Sequence, residues 1–138
     1  FDEAIMLSPD GHISEGSGEN IFVVIDGKLV TPPSYNSILM GITRNTVIEL
    51  ARAEFNIDTV ERPIDRSEVY TSQECFMTGT AAHLTPVAEV DRRKIGDGEI
   101  GPITKKLQQA YSEVIKGNNP KYSRWCTPVY PATAKRTK

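Results

Sequence analysis

Cysteine is scarce in this chain: two in 138 residues, Cys75 and Cys126, with no metal-ligand spacing between them. That excludes a disulfide scaffold and makes a reduced, cytoplasmic protein the expectation. Histidine is as rare, with only His12 and His83, too few to argue a metal site. No apolar run approaches the roughly 20 residues of a membrane span, and the opening residues carry no signal-peptide pattern. An excess of one charge is missing too. The net charge of -2 gives no reason to expect nucleic acid or an anionic membrane as partner. There is no internal repeat and no low-complexity segment. What remains is an ordinary globular balance, 38% hydrophobic and 25% charged, long enough for one domain with its own core.

The chain organises itself around Ser14-Glu15-Gly16-Ser17-Gly18-Glu19-Asn20-Ile21-Phe22. Two glycines around a serine let the backbone bend and approach a ligand closely. The apolar run Ile21 to Ile25 that follows reads as a strand buried on both faces, a rigid support for the turn. Asp26-Gly27 is a two-residue hairpin signal, Lys28 to Thr31 pairs back, and Pro32-Pro33 stops it. Upstream, Glu3 to Ser8 reads as a first strand ended by the turn Pro9-Asp10-Gly11. Because Phe1 to Leu7 reads as a strand entered midway, a piece of a longer polypeptide is expected.

After a loop over Ser34 to Gly41, Val47, Leu50, Ala51 and Phe55 repeat at the spacing of one helical face, which predicts a helix from Ile42 to about Phe55. Thr59 to Arg62 reads as a short strand. Asp65 caps one helical turn through Tyr70. Glu74 to Thr78 reads as a buried strand, Leu84 to Val90 as extended with a break at Pro86, and Asp91 to Lys94 as a charged turn. Pro102 suits the first position of a last helix, closed by Gly117-Asn118-Asn119-Pro120. The segment 118–138 has no clear period; it straps the domain or packs on a partner, and its basic end is expected to be disordered. The mixture of hairpins and helices predicts an α/β fold in the broad sense, a mixed sheet or open pseudo-barrel flanked by helices.

Three stretches share a small, polar, strand- or helix-end character. Gly16-Ser17-Gly18-Glu19-Asn20-Ile21 is not a dinucleotide fingerprint, because it precedes a strand and lacks the third glycine. Gly41-Ile42-Thr43 opens a helix, where free amides and the helix dipole favour an anion; Thr43 is either a phosphate seat or a cap for its own helix. Gly79-Thr80-Ala81-Ala82 follows a buried strand and is either an anion nest or a tight turn. Glu15 is either a turn-stabilising carboxylate or the partner of a protonated heterocyclic nitrogen, and Glu19 favours a supporting role. His83 suggests a base but reads more simply as a loop histidine. Cys75 reads as core, Arg44 and Arg62 as surface or interface ion pairs, and Trp125 as a packing anchor.

Together the chain resembles the fold-type IV, pyridoxal-phosphate-dependent aminotransferases, and most closely the branched-chain amino acid aminotransferases. The resemblance rests on Glu15 to Phe22, Thr31-Pro32-Pro33, Gly41-Ile42-Thr43-Arg44, Glu61-Arg62-Pro63-Ile64, Gly79-Thr80-Ala81-Ala82 with Thr85-Pro86-Val87, and Gly101-Pro102-Ile103-Thr104, in family order. It implies that residues 1–117 are the large C-terminal domain of such an enzyme, with 118–138 an extension. It implies pyridoxal 5'-phosphate as cofactor, no metal, and branched-chain amino acids and 2-oxo acids as substrates of a homo-oligomeric parent. Glu15 would pair with the pyridine nitrogen, Gly18 would lie against the ring and Leu39 would pack on it. Ile42 and Thr43 would hold the phosphate with Thr80, and Thr80 and Ala81 would also meet the substrate carboxylate. The family's Schiff-base lysine, its small N-terminal domain, a phosphate-binding arginine and a cofactor-facing tyrosine all belong upstream of Phe1, so no catalytic residue is assigned here and the chain alone is expected to be inactive. His83 stands where the family most often has glutamate. The alternatives are a D-amino acid aminotransferase, an aminodeoxychorismate lyase, or a non-catalytic module that binds an anion or a partner.

Overall fold

A computed structural model describes residues 2–130. Phe1, where the opening strand was expected to begin, and 131–138, the basic end expected to be disordered, lie outside the described residues.

Strand β1 (Asn20–Ile25) is the middle of the molecule. Its apolar run is continuous because both faces are covered. Phe22 and Val24 enter one cluster with Val47, Leu50, Phe76, Leu107 and Val114, while Ile21 and Val23 enter another with Ile13, Ile64, Val69, Cys75 and Met77. Asp26 and Gly27, with φ of 50° and 72°, make the two-residue turn that returns the chain as β2 (Lys28–Thr31), paired antiparallel with Val23 opposite Val30. Helix α1 (Ile42–Phe55) then crosses over one face, so β3 (Thr59–Glu61) lies parallel to β2. Asn56, left-handed at φ 53°, ends the helix.

Helix α2 (Arg66–Thr71) is a capping box, with the Glu68 carboxylate accepting from the Asp65 amide at 3.0 Å. Strand β4 (Glu74–Gly79) pairs with the free side of β1, stacking Phe76 on Phe22 with ring centroids 5.0 Å apart. Strand β5 (His83–Pro86) completes a mixed five-stranded sheet in the order β3-β2-β1-β4-β5. The expected extended run to Val90 divides: β6 (Glu89–Val90) and β7 (Arg93–Lys94) form a separate hairpin. Helix α3 (Pro102–Ile115) packs beside α1 on the same sheet face, and a 3-10 segment, Pro120–Trp125, buries Tyr122 against both.

Two expectations are corrected. Glu3 to Ser8 is not a strand of the sheet; only the bridge Leu7–Ile13 forms, and Ala4, Met6 and Leu7 stay exposed. Arg44 forms an ion pair as expected, but not on the surface. It is 1% exposed, its guanidinium donating to the Pro32 carbonyl at 3.1 Å and to Glu61 at 2.6 Å. Pro32 just follows β2 and Glu61 ends β3, both distant in sequence, so local pattern does not show them. Arg62 does form its pair, with two bonds to Glu68.

Among the described residues no helix is long and apolar enough to cross a membrane, and no group of three acidic, histidine or cysteine side chains is placed to hold a metal.

Candidate functional site

The opening stretch forms a closed turn at the head of β1. The Gly16 amide donates to the Glu19 carbonyl at 2.7 Å, and the Gly18 amide to the Glu19 carboxylate at 3.1 Å. Glu19 is therefore spent on its own turn. Exposed Glu3 accepts from the Ser17 amide and hydroxyl, and these bonds, after that from the Ala4 amide, hold its carboxyl below the usual range. Gly79 lies directly on this turn: a Cβ there would stand 3.1 Å from the Gly18 carbonyl and 3.2 Å from Glu19 Cγ. Gly18 has nothing within 4 Å of its own Cβ position, so one side of the turn is open.

Glu15 points the other way, toward the loop before α1. Its Oε2 accepts from the Leu39 amide at 2.9 Å and the Asn20 carboxamide at 3.2 Å. Its Oε1 accepts no hydrogen bond among the described residues. Ser14 donates to the Ser37 carbonyl at 2.9 Å, and Asn36 to the Ile13 carbonyl at 3.3 Å. These bonds dock the 34–41 loop on the turn and leave Leu39 75% exposed beside it.

The loop ends at the N-terminus of α1. Gly41 is its N-cap and supplies no side-chain bond, and the first turn holds no acid. The first intrahelical bond runs from the Asn45 amide to the Gly41 carbonyl, so the amides of Ile42, Thr43 and Arg44 have no acceptor among the described residues. Thr43 is not the cap; it sits one position inside the helix, buried, with its hydroxyl uncommitted. Helix α3 also starts at a glycine without a side-chain cap, yet its amides are filled: buried Glu74 accepts from Ile103 at 3.0 Å and from the Thr104 amide and hydroxyl at 2.7 Å. Among the described residues one helix start is answered and the other is not.

Thr80 and Ala81 are exposed in the β4–β5 turn, held by the Thr85 hydroxyl donating to the Ala82 carbonyl. Just inside, the Thr78 hydroxyl is buried without a partner, opposite Asn20 in register. His83, at φ 56°, is exposed and sets its ring edge-on to Tyr111 of α3, a packing contact. The three stretches thus meet, Gly79 on the first and the α1 entry through Asn20. Sequence reasoning passed over two residues here. Asn20 carried no role beyond its motif, and Glu74 looked like the edge of an apolar strand. A glutamate opening such a strand, with a capless Gly-Pro helix start downstream, is the signal that was there to be used.

Residues 1–90 match the family described as amino-transferase class IV. The chain belongs to the class IV aminotransferases. It is 52% identical over 128 residues to a branched-chain-amino-acid aminotransferase of Pseudomonas aeruginosa, a match covering 93% of this chain and 41% of that protein. The Escherichia coli K12 enzyme of the same name is 44% identical over 129 residues, again 41% of its length. The crystal structure of the Thermobaculum terrenum branched-chain amino acid aminotransferase in its PLP (holo) form superimposes with a TM-score of 0.91 at 44% identity, over 94% of this chain and 42% of that one. The mixed α/β fold of this class IV chain is thus that of known aminotransferase structures, and the chain spans about two fifths of their length.

Proposed function

We propose that this chain is the cofactor-holding part of a pyridoxal-phosphate-dependent aminotransferase that moves an amino group between leucine, isoleucine or valine and 2-oxoglutarate. The observation that carries the reading is the first turn of α1: three amides, and the hydroxyl of Thr43, without partners among the described residues, in a chain whose other long helix has the same groups filled. A phosphate dianion is the ligand such a turn takes.

The other residues fit the rest of the cofactor. Glu15 keeps Oε1 free to accept a proton-bearing ring nitrogen. Gly18 leaves open space where a ring would lie, and exposed Leu39 offers apolar surface to it. Ile42 and Thr43 would supply amides and a hydroxyl to the phosphate, joined by the Thr80 hydroxyl from the β4–β5 turn. The Thr80 and Ala81 amides serve the phosphate and the substrate carboxylate. When bound, pyridoxal phosphate supplies an electron sink for the bonds at the substrate's α-carbon. The chain's own part is to orient the ring, donate hydrogen bonds to the phosphate and set the Glu15 carboxylate against the ring nitrogen.

Among the described residues Lys28, Lys94, Lys105, Lys106, Lys116 and Lys121 are all exposed, on β2, the β6–β7 hairpin, α3 and the segments after it, and Lys121 is paired with Glu54. The tether and the remaining substrate contacts come from another part of the protein or from a second copy. Exposed Tyr35, Leu39, Met40 and Ile42 around the site support such a cover. The unpaired cysteines support a cytoplasmic location.

The test compares the full-length protein with the 138-residue chain. The full-length protein forms glutamate from leucine and 2-oxoglutarate, and the chain alone does not. Thr43→Ala weakens pyridoxal phosphate binding about 10-fold by equilibrium dialysis, the size expected for one lost bond to a charged group. Glutamate formation by the purified chain, or equal affinity of the Thr43→Ala protein, would overturn the assignment.

A further inference from the structure

The Asn20 side chain touches both ends of the site. It opens β1, is 5% exposed, and lies on the sheet face shared with Phe22 and Val24. Its amide nitrogen donates to Glu15 Oε2 at 3.2 Å and to the Leu39 carbonyl at 2.7 Å. Both partners are acceptors, which fixes which way the carboxamide is turned. Its oxygen stands 2.2 Å from where a Cβ on Gly41 would be, at the N-cap of α1.

A buried asparagine ordinarily satisfies itself on nearby backbone. This one places one N–H on an ionisable side chain and the other on a loop, neither needed by the sheet. The consequence for Glu15 is specific. With the Leu39 amide and Asn20 both on Oε2, the carboxylate has one rotational setting, and Oε1 is the oxygen left to face outward. The consequence for α1 is equally specific. The Leu39 carbonyl that Asn20 holds also accepts the Gly41 amide at 2.9 Å, so the residues feeding the helix start are pinned to the same group.

We propose that Asn20 is a positioning residue that locks the Glu15 carboxylate and the α1 N-terminus in register with each other. One carboxamide then sets the distance between the ring-nitrogen partner and the phosphate seat. This rests on the reading that the chain holds pyridoxal phosphate through Glu15 and α1.

The experiment uses the full-length protein stripped of cofactor, with dissociation constants of pyridoxal phosphate and of inorganic phosphate by dialysis, and Tm without ligand. Asn20→Ala raises the pyridoxal phosphate constant at least 10-fold. On a Glu15→Gln background, where the oriented carboxylate is already gone, the same substitution adds less than 3-fold, the non-additivity expected of residues acting through one another. Asn20→Asp, equal in shape but without the donor and facing Glu15 with a second negative charge, loses at least as much as Asn20→Ala.

A ligand-free readout runs in parallel. Gly41→Ala lowers Tm, and Asn20→Ala/Gly41→Ala recovers part of that loss because the obstructing oxygen is gone. The outcomes separate the two readings. If neither Glu15→Gln nor Thr43→Ala changes pyridoxal phosphate affinity, the cofactor reading falls and this one with it. If Glu15→Gln weakens binding while Asn20→Ala leaves both constants unchanged, lowers only Tm, or multiplies independently with Glu15→Gln, the positioning role alone is overturned.

Discussion

Glu74→Ala should be among the most damaging single changes in this chain, and its size follows from three hydrogen bonds. The carboxylate leaves β4 and accepts from the Ile103 amide, the Thr104 amide and the Thr104 hydroxyl. Glu74 is 7% exposed and Thr104 1%. A buried donor left without an acceptor costs roughly 1–3 kcal/mol, and a negative charge at a helix start is favoured by the dipole besides. The Ile103 side borders an open groove along Gln73, Asp97 and Gly101, where water can replace the lost oxygen. Taking the low end for three donors gives about 3–4 kcal/mol. For a chain of this length 1 kcal/mol moves Tm by about 3–4 °C, so Tm falls by about 10–15 °C, followed by far-UV circular dichroism at pH 7. Glu74→Gln retains one acceptor oxygen and should lose about half as much. Because the proposed phosphate seat is at α1 and not α3, the drop should be the same with and without pyridoxal phosphate. A fall of less than about 2 °C would show that water satisfies the helix start unaided and would remove the contrast between the two helices.

Two further predictions concern groups away from the site. Burial pushes the Cys75 thiol up to about 12, while Cys126 is exposed, so iodoacetamide at pH 8 should add one label to the native chain and two in urea by intact mass; rapid double labelling without denaturant would contradict the buried strand. The Arg62 guanidinium, donating to Glu68 at 2.7 and 3.0 Å, holds that carboxyl below its ordinary value. A lowered folded value means the stabilisation is present above the ordinary carboxylate range near pH 4.5 and disappears as pH falls through the folded value. Glu68→Gln should therefore be less stable than the parent at pH 7, by no more than about 1 kcal/mol for a pair about one-third exposed, with the gap in urea midpoint narrowing as pH falls through the folded value. A gap independent of pH would mean that the ion pair contributes nothing.

What could be read from the sequence was what depends on neighbours along the chain. The unbroken apolar run of β1 implied burial on both faces, and it is covered on both. The span of α1 followed from its apolar period and the asparagine that ends it. The Asp-Gly turn and the Asp65 cap were local chemistry, though the Glu68 half of that box was not read. Failures came where a residue's partner is far away. Residues 3–8 have strand composition but no strand beside them beyond one bridge. Arg44 read as a surface or interface ion pair, and its burial against the Pro32 carbonyl and Glu61 could not be seen locally. Of the candidate site, the residues at helix and turn starts were legible one by one. The carboxamide that joins them was not, because its role exists only once Glu15, Leu39 and Gly41 are adjacent.

That adjacency also explains why α1 has no cap. Serine, threonine, asparagine or aspartate at position 41 would contribute ~1 kcal/mol to the free chain by satisfying one of the open amides. All four need a Cβ, and the Cβ position lies 2.2 Å from Asn20 Oδ1. Asn20 cannot swing aside freely, since its nitrogen is held by Glu15 and Leu39. The backbone itself, at φ -64° and ψ 139°, would accept any residue. Glycine is required at 41 by the space around it and not by its torsion angles. The packing that orients Glu15 therefore also forbids the helix from satisfying itself, which keeps its amides available to an anion.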